Sequence, residues 1–160
     1  MIKTPSLYLI LHDLRSAENV GAIFRTADAV LVAKIYLTGY TPKPVDRFER
    51  AVSKIAKTAL GAEKSIPWEH YLKIDELLIK LKTDGIKVVA VEQVNEAINY
   101  KKLKLDCPTA LLFGNEVAGI SKEVIQQCDL VVEIPMLGAK ESLNVSVAVG
   151  VVVFSLRDLS

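Results

Sequence analysis

The sequence predicts an α/β fold in which a mostly parallel β-sheet is flanked by helices. Short apolar runs that suit buried strands alternate along the chain with segments of helical periodicity, as in parallel sheets covered on both faces. The chain has 160 residues, of which 51% are hydrophobic and 24% charged, and this length and composition suit one globular domain. Because no repeat, low-complexity tract or linker divides the sequence, we predict a single domain over residues 1–160.

Five short apolar runs are the predicted strands. They are rich in leucine, valine and isoleucine, and turn-forming residues bound several of them. The runs are Leu7–Leu11, Ile35–Leu37, Ile86–Val91, Thr109–Phe113 and Leu130–Ile134.

Four further segments carry helical periodicity or residues typical of helix ends. The first begins near Asn19, a favoured N-cap residue, and has apolar side chains at helical spacing as far as Leu31. The others are Phe48–Leu60 with Gly61 as C-cap, Ile74–Leu81, and a short helix that Ser121 opens toward Gln127.

The valine-rich segment Val145–Val151 gives conflicting indications. Its large and small residues alternate with a period of two, so β-propensity alone predicts a strand. A helix is the alternative, because Ser146 and Gly150 lie four residues apart and would form a small face for close packing.

Composition and common motifs exclude several classes of protein. The formal net charge is +1, so any surface for an anionic partner must come from uneven placement of charge. Cys107 and Cys128 lack a CxxC spacing and are expected to be reduced thiols in or near the core. His12 and His70 have no HExxH context, so we predict no metal site. The N-terminus does not resemble a signal peptide and the longest apolar run, Val147–Phe154, is too short to span a bilayer, which indicates a cytoplasmic protein without membrane association.

Nucleotide-binding and hydrolase motifs are also missing from the sequence. There is no GxGxxG, which argues against a dinucleotide-binding fold, and no GxSxG nucleophile elbow. Gly114–Gly119 has the outline of a P-loop, but Ile120 and Ser121 follow where the phosphate-binding lysine would stand.

Three polar stretches interrupt the apolar pattern: Asn19–Arg25, Gly114–Gly119 and Ile134–Ser146. The second and third follow strands, and the first lies after a strand at the start of a helix, so all three are expected near the carboxyl edge of the sheet, where open α/β sheets bind ligands. Each stretch can also be explained by structure alone. The first would be a helix cap with a surface arginine, the second a tight strand-to-helix turn, and the third a helix start capped by Ser142. Their occurrence together, in this order, is what favours one functional site.

These three stretches resemble, in order, spacing and wording, the three motifs of the SpoU (TrmH-like) RNA ribose methyltransferases of the SPOUT superfamily. The resemblance extends from about Leu7 to Leu156 and includes the Lys57–Glu63 region. It implies an α/β-knot fold with a C-terminal trefoil knot, S-adenosyl-L-methionine as methyl donor, a tRNA or rRNA substrate and a homodimer with the active site at the subunit interface. It also implies a helix from about Leu143 to Leu156, which overrides the strand prediction. No separate RNA-binding domain is expected.

The resemblance assigns roles to individual residues. Arg25 would be catalytic; family members are often described as using it as a base, but a guanidinium keeps its charge in proteins, so a bidentate grip on RNA phosphate that stabilises developing negative charge is the simpler chemistry. Asn19 would position the ribose or Arg25, and Glu116 would organise the site. Ser142 and Asn144 would hold the cofactor and substrate ends of the third motif. The adenine and ribose of the donor would lie among backbone groups of Val91, Leu112, Gly114, Ile134, Met136 and Leu143, and Ser142 would also bind the donor.

The RNA surface is expected on the second predicted helix. Arg47, Arg50, Lys54 and Lys57 fall at i, i+3, i+7 and i+10 of that helix and would share one face with each other. The alternative for this face is an ordinary solvated surface. Two rival functions remain open, a non-catalytic RNA-binding module of the same fold and a methyltransferase of the superfamily that acts on a base.

Overall fold

The structure is a computed structural model, and it describes residues 4–157. Within this range seven strands form one sheet in the order β3-β2-β1-β6-β4-β7-β5, with every neighbouring pair parallel. The strands are β1 (Leu7–His12), β2 (Lys34–Thr38), β3 (Trp68–Tyr71), β4 (Lys87–Val91), β5 (Ile98–Asn99), β6 (Thr109–Phe113) and β7 (Leu130–Glu133). The predicted α/β class with a parallel sheet is confirmed.

Six α-helices and one turn of 3-10 helix, Tyr100–Lys102, connect these strands within the described range. The helices are α1 (Ala17–Ala29), α2 (Ser53–Ala59), α3 (Ala62–Ser65), α4 (Ile74–Thr83), α5 (Lys122–Gln126) and α6 (Val145–Leu156). None of the described helices is both long and apolar enough to cross a membrane.

The sheet separates two hydrophobic cores. On one face α1, α2 and α6 pack over side chains such as Leu9 and Leu111, and on the other α4 and α5 pack over side chains such as Ile10 and Leu112. Successive strand residues point to opposite faces, so the central strands are apolar throughout and bury both. This is why β1 and β6, the innermost strands, were predictable from plain apolar runs.

Two strands were not predicted. All four residues of β3 are only half-buried, and β5 contains two residues, also half-buried. Each lies at an outer edge of the sheet, where a strand has one neighbour and one protected side, so its sequence carries little apolar pattern.

The predicted helix over Phe48–Leu60 is wrong in its first part. Residues 46–51 form a tight turn, closed by an antiparallel bridge between Val45 and Ala51, and α2 begins only at Ser53. The Asp46 carboxylate accepts the backbone N–H groups of Phe48 and Arg50 at 2.8 and 3.0 Å, which stabilises a turn in place of a helix. The helix ends at Ala59, and its C-cap is Leu60, in the left-handed conformation, one residue before the predicted cap Gly61.

The start of α1 also differs from the prediction. Ser16 is the N-cap, and its hydroxyl accepts the backbone N–H of Asn19 at 3.1 Å. Asn19 is therefore the third residue of the helix, and its side chain is free for another role.

The valine-rich segment is helical, as the family resemblance implied. Asn144 caps α6, and the buried residues Val145, Val149, Val152 and Val153 follow a helical stripe that packs on α1. Because nearly every residue of this segment is apolar, the stripe is hidden in the sequence and the alternation of large and small residues misleads. The trefoil knot stays a prediction.

Both cysteines are free thiols and half-buried, as predicted. Burial, with a smaller contribution from the neighbouring Asp129 carboxylate, raises the pKa of the Cys128 thiol to about 11. Cys128 therefore stays protonated and unreactive at neutral pH.

Gly21 sets the approach of α1 to α2. A Cβ added there would overlap the Thr58 hydroxyl and the Ile55 carbonyl oxygen and lie 3.1 Å from the backbone nitrogen of Ala59. We expect Gly21→Ala to destabilise the protein by about 2 kcal/mol, since overpacking against backbone outweighs the better helix propensity of alanine. Thermal unfolding measures this, with Gly138→Ala as control because an added Cβ there meets nothing within 4 Å. Equal melting temperatures for the two variants would contradict the prediction.

Candidate active site

A cleft lies at the carboxyl ends of β4, β6 and β7, which are neighbours in the sheet. Residues 91–93, 113–119 and 134–148 contribute its walls, and it encloses about 730 Å³, part of it open to solvent. Because parallel strands end at the same edge, three segments far apart in sequence meet there. The second and third of the predicted stretches are thus brought together.

Glu92 joins the first two walls of the cleft. Its carboxylate accepts the backbone N–H of Ile120 at 3.0 Å and that of Gln93 at 2.9 Å. Sequence reasoning did not select Glu92, although a charged residue directly after the buried strand β4 was the available signal.

Asn115 shapes the turn after β6. Its side-chain oxygen accepts the N–H groups of Val117 and Ala118 at 2.9 and 2.8 Å, and its amide donates to the Asp13 carbonyl and the Tyr40 hydroxyl at 2.8 and 3.0 Å. This side chain is one of the few buried polar groups. Both its oxygen and its nitrogen are hydrogen-bonded, as a buried amide requires. Sequence reasoning missed its role, which is internal to the motif.

Gly114 is required by the same turn. A Cβ at this position would lie 2.6 Å from the Ile120 side chain and 2.7 Å from the Gly119 carbonyl group. The turn therefore folds back directly over the glycine, and a larger residue would force the floor of the cleft apart.

Glu116 connects this turn to the start of α1. Its carboxylate accepts the backbone N–H of Arg15 at 2.9 and 3.1 Å and that of Ser16 at 3.1 Å. Partial burial by itself would raise the pKa of Glu116, but the N–H groups of Arg15, of Glu116 itself and of Ser16, with the Asn19 side chain, lower it below its ordinary value. Glu116 is therefore ionised at neutral pH.

Asn144 brings the third stretch to the first. Its side-chain oxygen accepts the N–H and the hydroxyl of Ser146 at 2.9 and 2.6 Å, and its amide donates to the Asn19 side chain at 3.3 Å. Asn144 is thus the helix cap that the sequence had suggested for Ser142, which is exposed and lines the cleft. Asn19, Glu116 and Asn144 form one polar group at the edge of the cleft, and Glu116 is the member that lines it.

Most residues assigned to the donor line the cleft. They are Val91, Gly114, Ile134, Met136, Ser142 and Leu143. Leu112 is not in the lining, because its side chain is fully buried within the sheet.

Arg25 lies outside the cleft. Its side chain is exposed on α1, beside a shallow depression that Lys57 of α2 and Phe154 of α6 also line. Within this subunit the structure does not bring Arg25 to Glu116.

The four predicted RNA-binding cations do not share one helix face, and that prediction is wrong. Arg47 and Arg50 belong to the turn before α2, whereas Lys54 and Lys57 lie on α2. In the turn, the Asp46 carboxylate accepts the backbone N–H of Arg50. All four are exposed. Among residues 4–157, no group of three or more His, Cys, Asp or Glu is arranged to hold a metal ion.

Comparison with known proteins identifies the family. A model of the SpoU rRNA methylase family matches residues 6–154. The tRNA (guanosine(18)-2′-O)-methyltransferase of Aquifex aeolicus is 32% identical over 155 residues, which are 94% of this chain and 68% of the relative. The 23S rRNA (guanosine-2′-O-)-methyltransferase RlmB of Neisseria meningitidis is 32% identical over 156 residues, 98% of this chain and 60% of the relative.

Solved structures agree with this result. The AdoMet-bound rRNA methyltransferase from Sinorhizobium meliloti superposes with a TM-score of 0.84 at 28% identity, over 96% of this chain and 56% of that one. A structure described as giving insights into the 2-OH methylation of C/U34 on tRNA superposes with a TM-score of 0.80 at 25% identity, over 95% of this chain and 94% of that one. The chain spans about six-tenths of the length of most of these relatives. With the parallel sheet and the three converging stretches, these likenesses establish that the chain belongs to the SpoU methylase family.

Proposed function

We propose that this protein transfers a methyl group from S-adenosylmethionine to a ribose 2′-hydroxyl of tRNA or rRNA. The observation that carries the proposal is the cleft at the ends of β4, β6 and β7, together with the polar group of Asn19, Glu116 and Asn144 at its edge. Support comes from the Aquifex and Neisseria relatives, whose names specify 2′-O-methylation, and from the AdoMet-bound S. meliloti structure.

The residues that line the cleft suit such a donor. Val91, Ile134, Met136 and Leu143 give it apolar walls against which an adenine would pack. Among residues 4–157, the lining includes two acidic residues, Glu92 and Glu116, and no Lys, Arg or His, which suits a cationic ligand. When bound, S-adenosylmethionine supplies a methyl group on a positively charged sulfur.

Residues of this chain would align the ribose hydroxyl that accepts the methyl group and would stabilise the charge that develops on its oxygen. Asn19 and Asn144, joined by their amides, would orient the ribose so that its oxygen faces the methyl carbon in line with the breaking bond. Glu116 fixes the start of α1 and thereby Asn19. Ser142, exposed in the cleft wall, would hold the donor, and Arg25 would grip an RNA phosphate and stabilise negative charge that develops on the oxygen.

The placement of Arg25 supports a homodimer in which each site uses both subunits. α6 is apolar on both sides: Val149, Val152 and Val153 face the core, while Val147 and Phe154 are 51% and 44% exposed. Val147 and Phe154 lie seven residues apart, on one face of the helix, and a helix that is apolar all round is normally covered. Phe154, near the end of α6, adjoins Arg25, whereas Val145 and Ala148, at its start, line the cleft. A partner whose α6 packs antiparallel on this face would therefore bring Arg25 near the partner's cleft.

We expect the double substitution Val147→Asp, Phe154→Asp to convert the protein to a monomer, because each subunit would bury two unpaired negative charges in the interface. Sedimentation equilibrium gives the mass of each form. Ile79→Asp on α4, where the side chain is 66% exposed, is the matched control and should leave the mass unchanged. A monomeric wild-type protein would contradict the proposed dimer.

The experiment that tests the proposed activity is nucleoside analysis of the product. The protein is incubated with isotopically labelled S-adenosylmethionine and unmodified tRNA or rRNA transcripts, and the digested RNA is examined by mass spectrometry. A labelled 2′-O-methylnucleoside is the expected product. Label on a base would indicate a base-directed methyltransferase, and absence of donor binding in calorimetry would indicate a non-catalytic RNA-binding module. A tRNA or rRNA substrate would also support a cytoplasmic location for the protein.

A further inference from the structure

The turn between β2 and α2 presents an exposed aromatic ring next to two arginines. Phe48 is 61% exposed. The guanidinium carbons of Arg47 and Arg50 lie 4.7 and 5.0 Å from the centre of its ring. A single exposed apolar side chain is common on protein surfaces. What distinguishes Phe48 is the pair of guanidinium groups at its ring.

The turn is held in shape before any partner arrives. Asp46 accepts three hydrogen bonds within it, from the N–H of Phe48, the N–H of Arg50 and the side-chain Nε of Arg50. The backbone N–H of Asp46 donates to the Arg50 carbonyl at 2.9 Å, and Glu49 adopts the left-handed conformation that closes the turn. Phe48 is therefore displayed on a preformed support, which lowers the entropy cost of binding.

The neighbouring charge is positive and largely available. The side chain of Arg50 is 71% exposed and uses only Nε in its contact with Asp46, so most of its donors can reach another anion. Lys54 and Lys57 follow on α2, three residues apart and both exposed, and therefore near one another on the helix. Lys57 borders the depression that Arg25 lines.

We propose that Phe48 is a stacking platform for an unpaired base of the RNA substrate, with Arg47 and Arg50 contacting the flanking phosphates. The inference rests on the proposed function and specifies its substrate class, namely RNA with single-stranded nucleotides near the target ribose. An aromatic face accepts any unpaired base, whereas a paired base keeps both of its faces covered within the helix. The two guanidiniums at the ring favour an anionic polymer over an apolar protein surface.

The test measures the affinity of the full chain for a 20-nucleotide single-stranded RNA and for the same sequence as a duplex, over a range of salt concentrations. Phe48→Ala should weaken single-strand binding about 10- to 100-fold, while Phe48→Trp keeps it. The salt dependence should keep its slope in Phe48→Ala, since no charge is lost, and should flatten by about 0.7 in Arg50→Ala. Leu72→Ala, at a side chain that is 76% exposed, is the control and should bind like wild type.

Stacking also has a direct spectroscopic readout. In a Trp68→Phe background, Phe48→Trp provides a single tryptophan, since the chain contains one, and single-stranded RNA should quench its fluorescence while the duplex does not. Unchanged RNA affinity in Phe48→Ala, or a loss equal for single strand and duplex, would overturn the proposal. A change in the mass of Phe48→Ala without a change in RNA affinity would make the turn a protein contact and overturn it as well.

These outcomes separate the inference from the proposed activity. If the wild type methylates ribose but Phe48→Ala binds RNA normally, only the stacking inference fails. If Phe48 governs RNA binding but no methyl group is transferred, only the proposed activity fails. Calorimetry with S-adenosylmethionine should give the same affinity for Phe48→Ala and wild type, because Phe48 does not line the cleft.

Discussion

Arg25→Ala is expected to lower methyl transfer about 100- to 1,000-fold, the usual cost of losing one group that stabilises transition-state charge. The affinity for S-adenosylmethionine should be nearly unchanged, because Arg25 lies beside Lys57 and Phe154 and outside the cleft. Turnover with labelled donor and calorimetry measure the two quantities. Lys82→Ala, an exposed cation of α4, should leave both unchanged.

Arg25→Lys distinguishes the kinds of role that a guanidinium can have. A lysine keeps the positive charge but loses the planar fork that binds phosphate through two parallel hydrogen bonds. Partial activity in Arg25→Lys, with weaker RNA binding, fits a phosphate grip. Full activity in Arg25→Ala would rule out any catalytic assignment for this residue.

Mixing inactive subunits tests whether Arg25 acts across the proposed dimer. If each site combines Arg25 of one subunit with Glu116 of the other, a heterodimer of an Arg25→Ala and a Glu116→Gln subunit contains one intact site and one doubly altered site. Random reassembly would then restore about a quarter of the wild-type activity. If both residues act within one subunit, each site of the heterodimer carries one defect and no activity returns.

The parts of the fold that were predictable from sequence are those in which burial is uniform. β1, β4 and β6 lie in the interior of the sheet and are nearly continuous apolar runs, so their pattern has one interpretation. The edge strand Trp68–Tyr71 has polar and apolar residues in a half-buried setting, and its pairing with β2 depends on a neighbour that the local sequence does not specify.

Helix ends were less predictable because their hydrogen bonds depend on tertiary context. Asn19 and Ser142 are good capping residues by type, yet Ser16 and Asn144 provide the caps. The turn at Asp46 shows the same limit, because a single carboxylate that accepts Phe48 and Arg50 ends a pattern that otherwise suits a helix.

The site residues at the ends of strands were predictable from sequence, whereas those that act through hydrogen bonds between loops were missed. Ile134 and Met136 follow directly from the end of β7. Glu92 accepts a hydrogen bond from a backbone group distant in sequence, and Asn115 donates one to another such group. No local sequence pattern identifies these partners. Arg25 was placed near the sheet edge by its position in the motif, but its direction depends on the packing of α1 on α2.

Glu116→Gln should have the second largest effect on activity, a fall of about 100-fold in methyl transfer, because displacement of groups that position a substrate costs this much. With the single glutamine oxygen at the Oε1 position, the N–H groups of Arg15 and Ser16 would still find an acceptor, but the amide nitrogen at the Oε2 position would face the Arg15 N–H donor. The contact between the turn after β6 and α1 would therefore weaken, and Asn19 would shift from its position. The free energy of unfolding should fall by about 1 kcal/mol, a value reduced for partial exposure.

The dependence of this stability difference on pH identifies the carboxylate as its source. Glu116 has a pKa lowered from its ordinary value of 4.5, so its contribution to stability is fully present above that value and disappears as the pH falls through the lowered pKa. Urea unfolding should therefore show a constant difference between wild type and Glu116→Gln near neutral pH, and a difference that narrows in acid. Glu123→Gln, at an exposed position of α5, should match wild type in transfer and in stability near neutral pH. A Glu116→Gln protein that keeps full methyl transfer would show that the contact between the turn and α1 is not required. A stability difference that persists unchanged below the lowered pKa would assign the loss of stability to packing instead of to charge.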